Sequence, residues 1–279
     1  MPDSVRALLR LSLLGSLLAL AASAQESRPP DSPGEFSADR PGFGESTDTV
    51  APGFLQAETG FLAEAHALAG GPVRNISAPQ PLLRIGLTKR LEMRLGADGF
   101  LRESDASGAT RELHHGGSDL SVGAKVRLLP EGPRWPAVSL LASVSLPVGS
   151  SYFSSGSFDP EFHLIWAKSL PQGFDASGNF NFAWQTGGPQ WTSQRAASFQ
   201  IGHGMGAGLH GYAEVYRVWP IPGDEPAHVF ASAGISRTLG ADVQLDLEAG
   251  HTMMARTPSW FIGFGFAIRA RLGGLFHRH

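Results

Sequence analysis

The sequence contains no cysteine, so an exported domain of this kind cannot be held by disulfides and needs another source of closure, which strand pairing around a barrel supplies. Neither sign of charge dominates, with 22 Lys and Arg against 25 Asp and Glu, which removes the electrostatic case for nucleic-acid binding. After the first residues no run of eighteen or more apolar residues recurs, which excludes a helical membrane span. None of the ten histidines is followed two residues later by serine, and no Gly-x-Ser-x-Gly elbow occurs. The local signatures of an outer-membrane lipase and of a hydrolase elbow are therefore missing, although a serine and a histidine from separate strands could still meet. No cofactor is implied.

What is present begins with export. Arg6 and Arg10 make a positive opening, Leu11 to Ala22 is apolar, and Ala22-Ser23-Ala24 supplies small residues. The pattern predicts a signal peptide over residues 1–24, cleaved after Ala24. Residues 25–51 are rich in Pro, Ser, Gly and Asp without periodicity, which predicts an irregular N-terminal segment. From residue 52 to 272 the pattern changes to short alternating runs, followed by a tail at 273–279. Leu120, Val122, Ala124, Val126 and Leu128 alternate with Asp119, Ser121, Gly123, Lys125 and Arg127. A period of two puts the sets on opposite faces of a strand. Trp260, Ile262, Phe264, Phe266 and Ile268 repeat the device against Gly263, Gly265 and Arg269.

Weaker copies bring the count to twelve strands, each near the roughly ten residues a tilted strand needs to cross an outer membrane. Links such as Lys89-Arg90 and Gly206 to Gly208 are short. Alternate ones, such as His66 to Ala78, Arg102 to Gly116, Val148 to Phe158 and Trp219 to Ala227, are long and polar; Pro130 to Pro136 breaks the trend. Short periplasmic turns alternating with long outer loops mark an up-and-down transmembrane barrel. The predicted fold is thus all-β, an antiparallel up-and-down β-barrel of about 12 strands in the outer membrane, in contact with lipid.

In such a barrel the polar face lines the lumen. Glu58, Arg84, Glu92, Arg94, Asp119, Lys125, Arg127, Glu161, Glu214, Asp246 and Glu248 are the lumen-lining candidates, with the basic groups expected to face the acidic ones across the pore. Phe54, Phe158, Phe174, Trp184, Trp219 and Trp260 fall near strand ends and suit interfacial girdles. His114-His115 carries no further ligand set, and Gly202 to Gly208 lacks the strand–loop–helix context of a phosphate cradle, so no metal and no nucleotide is expected.

Asp39-Arg40-Pro41-Gly42-Phe43-Gly44-Glu45-Ser46, followed by Pro52-Gly53-Phe54-Leu55-Gln56-Ala57-Glu58-Thr59-Gly60, resembles the opening of the "meta-pathway of phenol degradation" family of outer-membrane transporters. Leu83 to Arg94 resembles that family's second hairpin, Gly117 to Lys125 its next strand, and Ser145 to Gly149 the one after. Phe158-Asp159-Pro160 and the glutamate of Gly211-Tyr212-Ala213-Glu214 also fit. The chain departs from the pattern of such barrels at its end, which runs on to His279 rather than finishing on an aromatic residue. The resemblance implies a transporter-like barrel, hence passive uptake or efflux of small solutes, hydrophobic or aromatic ones included. A structural or surface-adhesion barrel and a lipase-like enzyme are the other readings. Asp39, Arg40, Phe43 and Glu45 lie close enough to the first strand to fold back into the lumen, and are the candidates for a plug.

Overall fold

The computed structural model describes residues 34–68, 71–106, 111–186, 191–219, 228–254 and 258–275. The expected signal peptide and the first part of the N-terminal segment lie outside the described residues. Fifteen extended segments form one closed antiparallel sheet. Three pairs of segments continue one another across a break, which leaves twelve strands around the wall. These are β1 (Phe54–Leu68), β2 (Gly71–Ser77 and Leu82–Thr88), β3 (Leu91–Ala97 and Phe100–Asp105) and β4 (Glu112–Gly117 and Leu120–Leu129). There follow β5 (Ala137–Leu146), β6 (Asp159–Ser169), β7 (Phe174–Gln185), β8 (Thr192–Gly206) and β9 (Leu209–Trp219). The last are β10 (His228–Leu239), β11 (Val243–Met254) and β12 (Ser259–Arg271). Each strand pairs with its neighbours in sequence, and β12 returns to β1 in a register running from Phe54 opposite Arg271 to His66 opposite Ser259. Closure leaves no unpaired edge, which is what lets a sheet stand in lipid.

The burial pattern is inverted relative to a soluble β-protein. Leu245, Leu247 and Phe264 on the outer face are 49 to 57% exposed, whereas Arg84, Glu92 and Lys125 are fully buried inside. Alternating side chains decide this, because each strand sends apolar groups out and polar groups in. Phe158, Phe174, Trp219 and Trp260 are exposed. Phe54 departs from the girdle pattern: it is buried, with the guanidinium groups of Arg269 and Arg271 over its ring.

Two link assignments need correction. The stretch from His66 to Ala78 is mostly paired, since β1 and β2 stay in register from Leu62 opposite Ser77 to Leu68 opposite Gly71. Phe100–Asp105 and Glu112–Gly117 likewise pair within the segment read as a loop from Arg102 to Gly116. These hairpin ends rise beyond the apolar band, where both faces meet water and alternation disappears from the sequence. The breaks that separate them from the wall follow local chemistry. Pro79 has no amide to give the ladder, and opposite it Gly99 sits at φ +84°, where an added Cβ would fall 1.5 Å from the Pro79 carbonyl oxygen. At the other rim the turns are tight: Ala207 and Gly208 both take positive φ between β8 and β9, the twist that suits a two-residue hairpin.

Candidate functional site: a charged lumen occupied by the N-terminal segment

Residues 34–53 run inside the barrel. The segment enters at the short-turn rim, where Arg269 donates to the carbonyls of Gly34 and Glu35. It crosses the lumen through residues 39–45 and returns along β2 to β4 to meet β1. On the inbound side the Asp39 amide donates to both Glu58 oxygens, at 3.3 and 3.0 Å. At the crossing, the amides of Phe43 and Gly44 each donate to one oxygen of Glu214, at 2.8 and 2.9 Å. The Gly42 amide donates to Glu248 and that of Glu45 to Asn179. On the return, Ser139 and Lys125 donate to the carbonyls of Thr47 and Ser46, and the Val50 amide donates to Glu92.

The charges on β1 to β4 form a lateral network. Arg84 donates from Nε and Nη2 to the two oxygens of Glu92, at 2.9 and 3.0 Å, and from Nη1 to Glu58 at 2.9 Å. Lys125 Nζ lies 3.7 Å from Glu92 and 3.0 Å from each carboxylate oxygen of Asp39. Arg94 bonds Asp39 as well, and reaches Glu45 at 3.4 Å. Burial pushes the Asp39 carboxyl up, but Arg84, Lys125 and Arg94 around it outweigh that and hold it far below the usual carboxylate range. Glu45 is held down in the same way by His163, 2.7 Å away, and by Arg94, against the upward push of burial.

The expected pairing across the pore therefore needs correction. The basic groups Arg84 and Lys125 find Glu58 and Glu92 on neighbouring strands, and Arg94 finds Glu92 on its own strand, because adjacent inward positions are the closest partners a sheet offers. Glu214 faces them from the far wall, with the N-terminal segment between. Arg127 bonds Asp48 of the segment. Asp246 lies 3.5 Å and Glu248 3.9 Å from Arg40. Glu161 contacts His163. Asp119 stands at a strand end and accepts from the amides of Gly149 and Ser155, so it fastens a loop instead of a wall pair. Phe43 stacks on Tyr216 with ring centroids 4.3 Å apart, and Tyr216 in turn stacks on Phe230 at 4.8 Å.

Two larger cavities remain, one on each side of the crossing, and a smaller one of about 260 Å³ lies beside Phe43, Glu161 and His163. The one toward the short turns, about 490 Å³, is lined by Asp175, Gln200, His210 and Ser236. The one toward the long links, about 590 Å³, is lined by Arg94, Asp98, Asp119, Ser143 and Glu161. Asp39, Arg40 and Glu45 border both.

The sequence pattern of the family described as "Putative MetA-pathway of phenol degradation" matches residues 38–270. The chain belongs to this family. A search of curated proteins finds no match. Among solved structures, the chain is similar to an outer membrane channel from Pseudomonas putida F1, with a TM-score of 0.59 and 13% identity over 88% of this chain and 100% of that one. It is also similar to the translocator domain of the autotransporter NalP from Neisseria meningitidis, with a TM-score of 0.50 and 12% identity over 96% and 98% of the two chains. At such identities the likeness is one of fold, that of outer-membrane barrels. The family match opens at Ala38, so it takes in the crossing part of the N-terminal segment along with the wall of this phenol-degradation family barrel.

Several of the segment's partners were not singled out from the sequence: Gln56, Ser139, His163, Asn179, Gln244 and Arg269. All occupy inward positions of alternating runs, which is the signal that was available, but most carry no charge. One serine and one histidine do meet from separate strands. His66 Nδ1 lies 2.8 Å from Ser259 Oγ, as cross-strand partners on β1 and β12. Ser259 is buried, its amide donates to Thr252, and neither member of the pair lines the two large cavities. The contact ties the seam.

Gly86 shows how closely the segment lies on the wall. A Cβ there would fall 2.0 Å from the Ala51 carbonyl oxygen and 2.3 Å from that of Val50. Both are backbone atoms and cannot swing aside. Gly86→Ala is expected to push residues 50–51 inward and break the bond from Val50 to Glu92, a charged hydrogen bond of about 1.5–3 kcal/mol. Hydrogen exchange at the Val50 amide should rise by one to two decades in a barrel that still shifts on heating in gels. Unchanged protection would mean that the segment is not anchored there.

Proposed function

We propose that this protein is a transport-type barrel of the outer membrane that passes small solutes by diffusion, with residues 34–53 restricting its lumen. The observation that carries this reading is the pair of polar cavities, one at each end of a closed barrel, that meet at Asp39, Arg40 and Glu45. A barrel built only to present loops has no need of an interior in which buried charges are kept at such cost. Family membership and the resemblance in fold to an outer membrane channel point the same way. Aromatic solutes suit the lumen because the ring of Phe43, backed by Tyr216, borders the cavity toward the long links.

The test is reconstitution. Refolded protein in planar bilayers should give discrete, small ion currents, and liposomes carrying it should swell in isosmotic solutions of small solutes. If neither the whole chain nor a barrel without the segment carries current or admits solute, the transport reading falls. Orientation is tested separately on intact cells. A protease site inserted between Asp105 and Glu112 should be cut from outside, and one at Lys89-Arg90 should be protected. The reverse result would turn the barrel over.

A further inference from the structure

We propose that the cradle around Asp39 is a binding site for the carboxylate of an anionic solute, and that Asp39 is its tethered occupant. The inference rests on the transport reading above and names its solute class.

Three cations on adjacent strands converge on one carboxylate: Lys125 at 3.0 Å from both oxygens, Arg84 at 3.5 Å, and Arg94 in direct contact. The Ser46 amide adds a fourth donor at 3.0 Å. The groups that bond the Asp39 carboxylate are all donors, and guanidinium forks suit the planar geometry of a carboxylate. The wall holds Arg84 and Arg94 without help from Asp39, and the Ser46 and Asp48 carbonyls of the segment hold Lys125. Arg84 is fixed by Glu92 and Glu58, Arg94 leans on Glu92 at 3.4 Å, and Lys125 lies beside the same Glu92. The balance is what matters. Arg84, Arg94 and Lys125 face only Glu58 and Glu92 on the wall, so the wall alone is one negative charge short. A buried, uncompensated cation is costly, and Asp39 supplies the missing charge, because Glu45, 3.4 Å from Arg94, is engaged by His163 at 2.7 Å. A monocarboxylate that took its place would restore the same balance, whereas a dianion such as sulfate would overshoot it.

Access exists from both sides, since Asp39 borders both cavities and Arg94 borders the one toward the long links. The carboxylate that fills the cradle is joined by about fifteen residues to the start of β1. A short tether of that kind gives an effective concentration on the order of millimolar or higher. A free carboxylate competes poorly with Asp39 in the intact chain and well once Asp39 is neutral.

The experiment is a calorimetric titration of the full-length Asp39→Asn protein, folded in detergent, with sodium benzoate, with benzamide as the neutral isostere and with sulfate. Asp39→Asn should bind benzoate at least about tenfold more tightly than the unaltered protein, a difference of about 1.4 kcal/mol. Benzamide should not bind, and Lys125→Gln in the same background should abolish the gain. A folded Asp39→Asn barrel that binds benzoate no better than the parent, or no better than benzamide, overturns the proposal. Preference for sulfate would overturn the assignment of solute class. If Asp39→Asn does not fold, hydrogen exchange of the unaltered protein decides: benzoate well above the millimolar effective concentration of the tether, and not benzamide at the same concentration, should speed exchange at the Asp39 and Ser46 amides, and no change overturns the proposal. None of these readouts needs a current, so they fail or succeed independently of the bilayer recordings that test transport.

Discussion

Removing residues 25–50 should raise the single-channel conductance of the refolded barrel severalfold. In the intact protein the two cavities, about 490 and 590 Å³, are separated by residues 39–45, so ions must pass the constriction around Asp39, Arg40 and Glu45. Without the segment nothing among the described residues crosses the lumen, and the cavities become one. The wall should survive the deletion. Its strand ladder is closed by β1 and β12 independently of the segment, and water can take over the donors and acceptors that the segment satisfied. Arg84, Glu58 and Glu92 keep one another as partners. The measurement is the current step in symmetric salt, with heat-modifiability gels to confirm folding. A folded deletion barrel that conducts like the parent would remove the plug from the account.

The second large effect concerns Arg84. Replacing it by leucine should destabilise the barrel by about 3–5 kcal/mol, the usual cost of leaving one side of a buried ion pair alone. Arg84 is fully buried and donates to Glu58, to both oxygens of Glu92, and to the carbonyls of Ser37 and Asp48. Its loss takes the charged partner from Glu58 on β1 and the bidentate one from Glu92 on β3, and frees the segment on both its inbound and outbound passes. Arg94→Leu should cost much less, about 1–3 kcal/mol, because Glu92 and Asp39 retain Lys125 and Arg84. It should change ion selectivity more than stability. Urea midpoints for release from lipid vesicles would rank the two, and adding Glu92→Gln to Arg84→Leu should recover part of the loss. Equal midpoints for Arg84→Leu and Arg94→Leu would argue against the lateral network as the source of wall stability.

How much of this was legible follows from what each signal depends on. Alternation is local, so the wall strands and the inward placement of Arg84, Glu92, Lys125 and Glu214 could be read directly. The strand ends at Phe100–Asp105 and Glu112–Gly117 could not, because above the apolar band both faces are wet and the period of two has no physical cause. Partner choice was also beyond reach. That Arg84 meets Glu92 follows from the register of β2 against β3, in which Arg84 stands opposite Arg94 and Gly86 opposite Glu92, and register is set by the turn and by Gly86 together. The Phe43–Tyr216 stack joins residues far apart in sequence, with nothing local to announce it. Glu45 and His163 are similar: each looks ordinary alone, and only barrel closure brings them within 2.7 Å.

The wall grips the segment mostly through its main chain. Amides of Asp39, Gly42, Phe43, Gly44, Glu45 and Val50, and carbonyls of Gly34, Glu35, Ser37, Arg40, Ser46, Thr47 and Asp48, take the bonds from the barrel. Mutational tolerance along this stretch should accordingly be uneven. The side chain at Ala38, half-buried, can be exchanged with little penalty so long as the path is kept. Gly42, at φ +109° with Glu214 and Tyr212 crowding the place of its missing Cβ, should accept almost nothing else. A saturation library over residues 34–53, selected for folded barrels that stay closed, should return a narrow set of allowed residues at Asp39, Arg40, Gly42, Phe43, Gly44, Glu45 and the buried Val50, and a broader one at the exposed Glu35 and at Ala38.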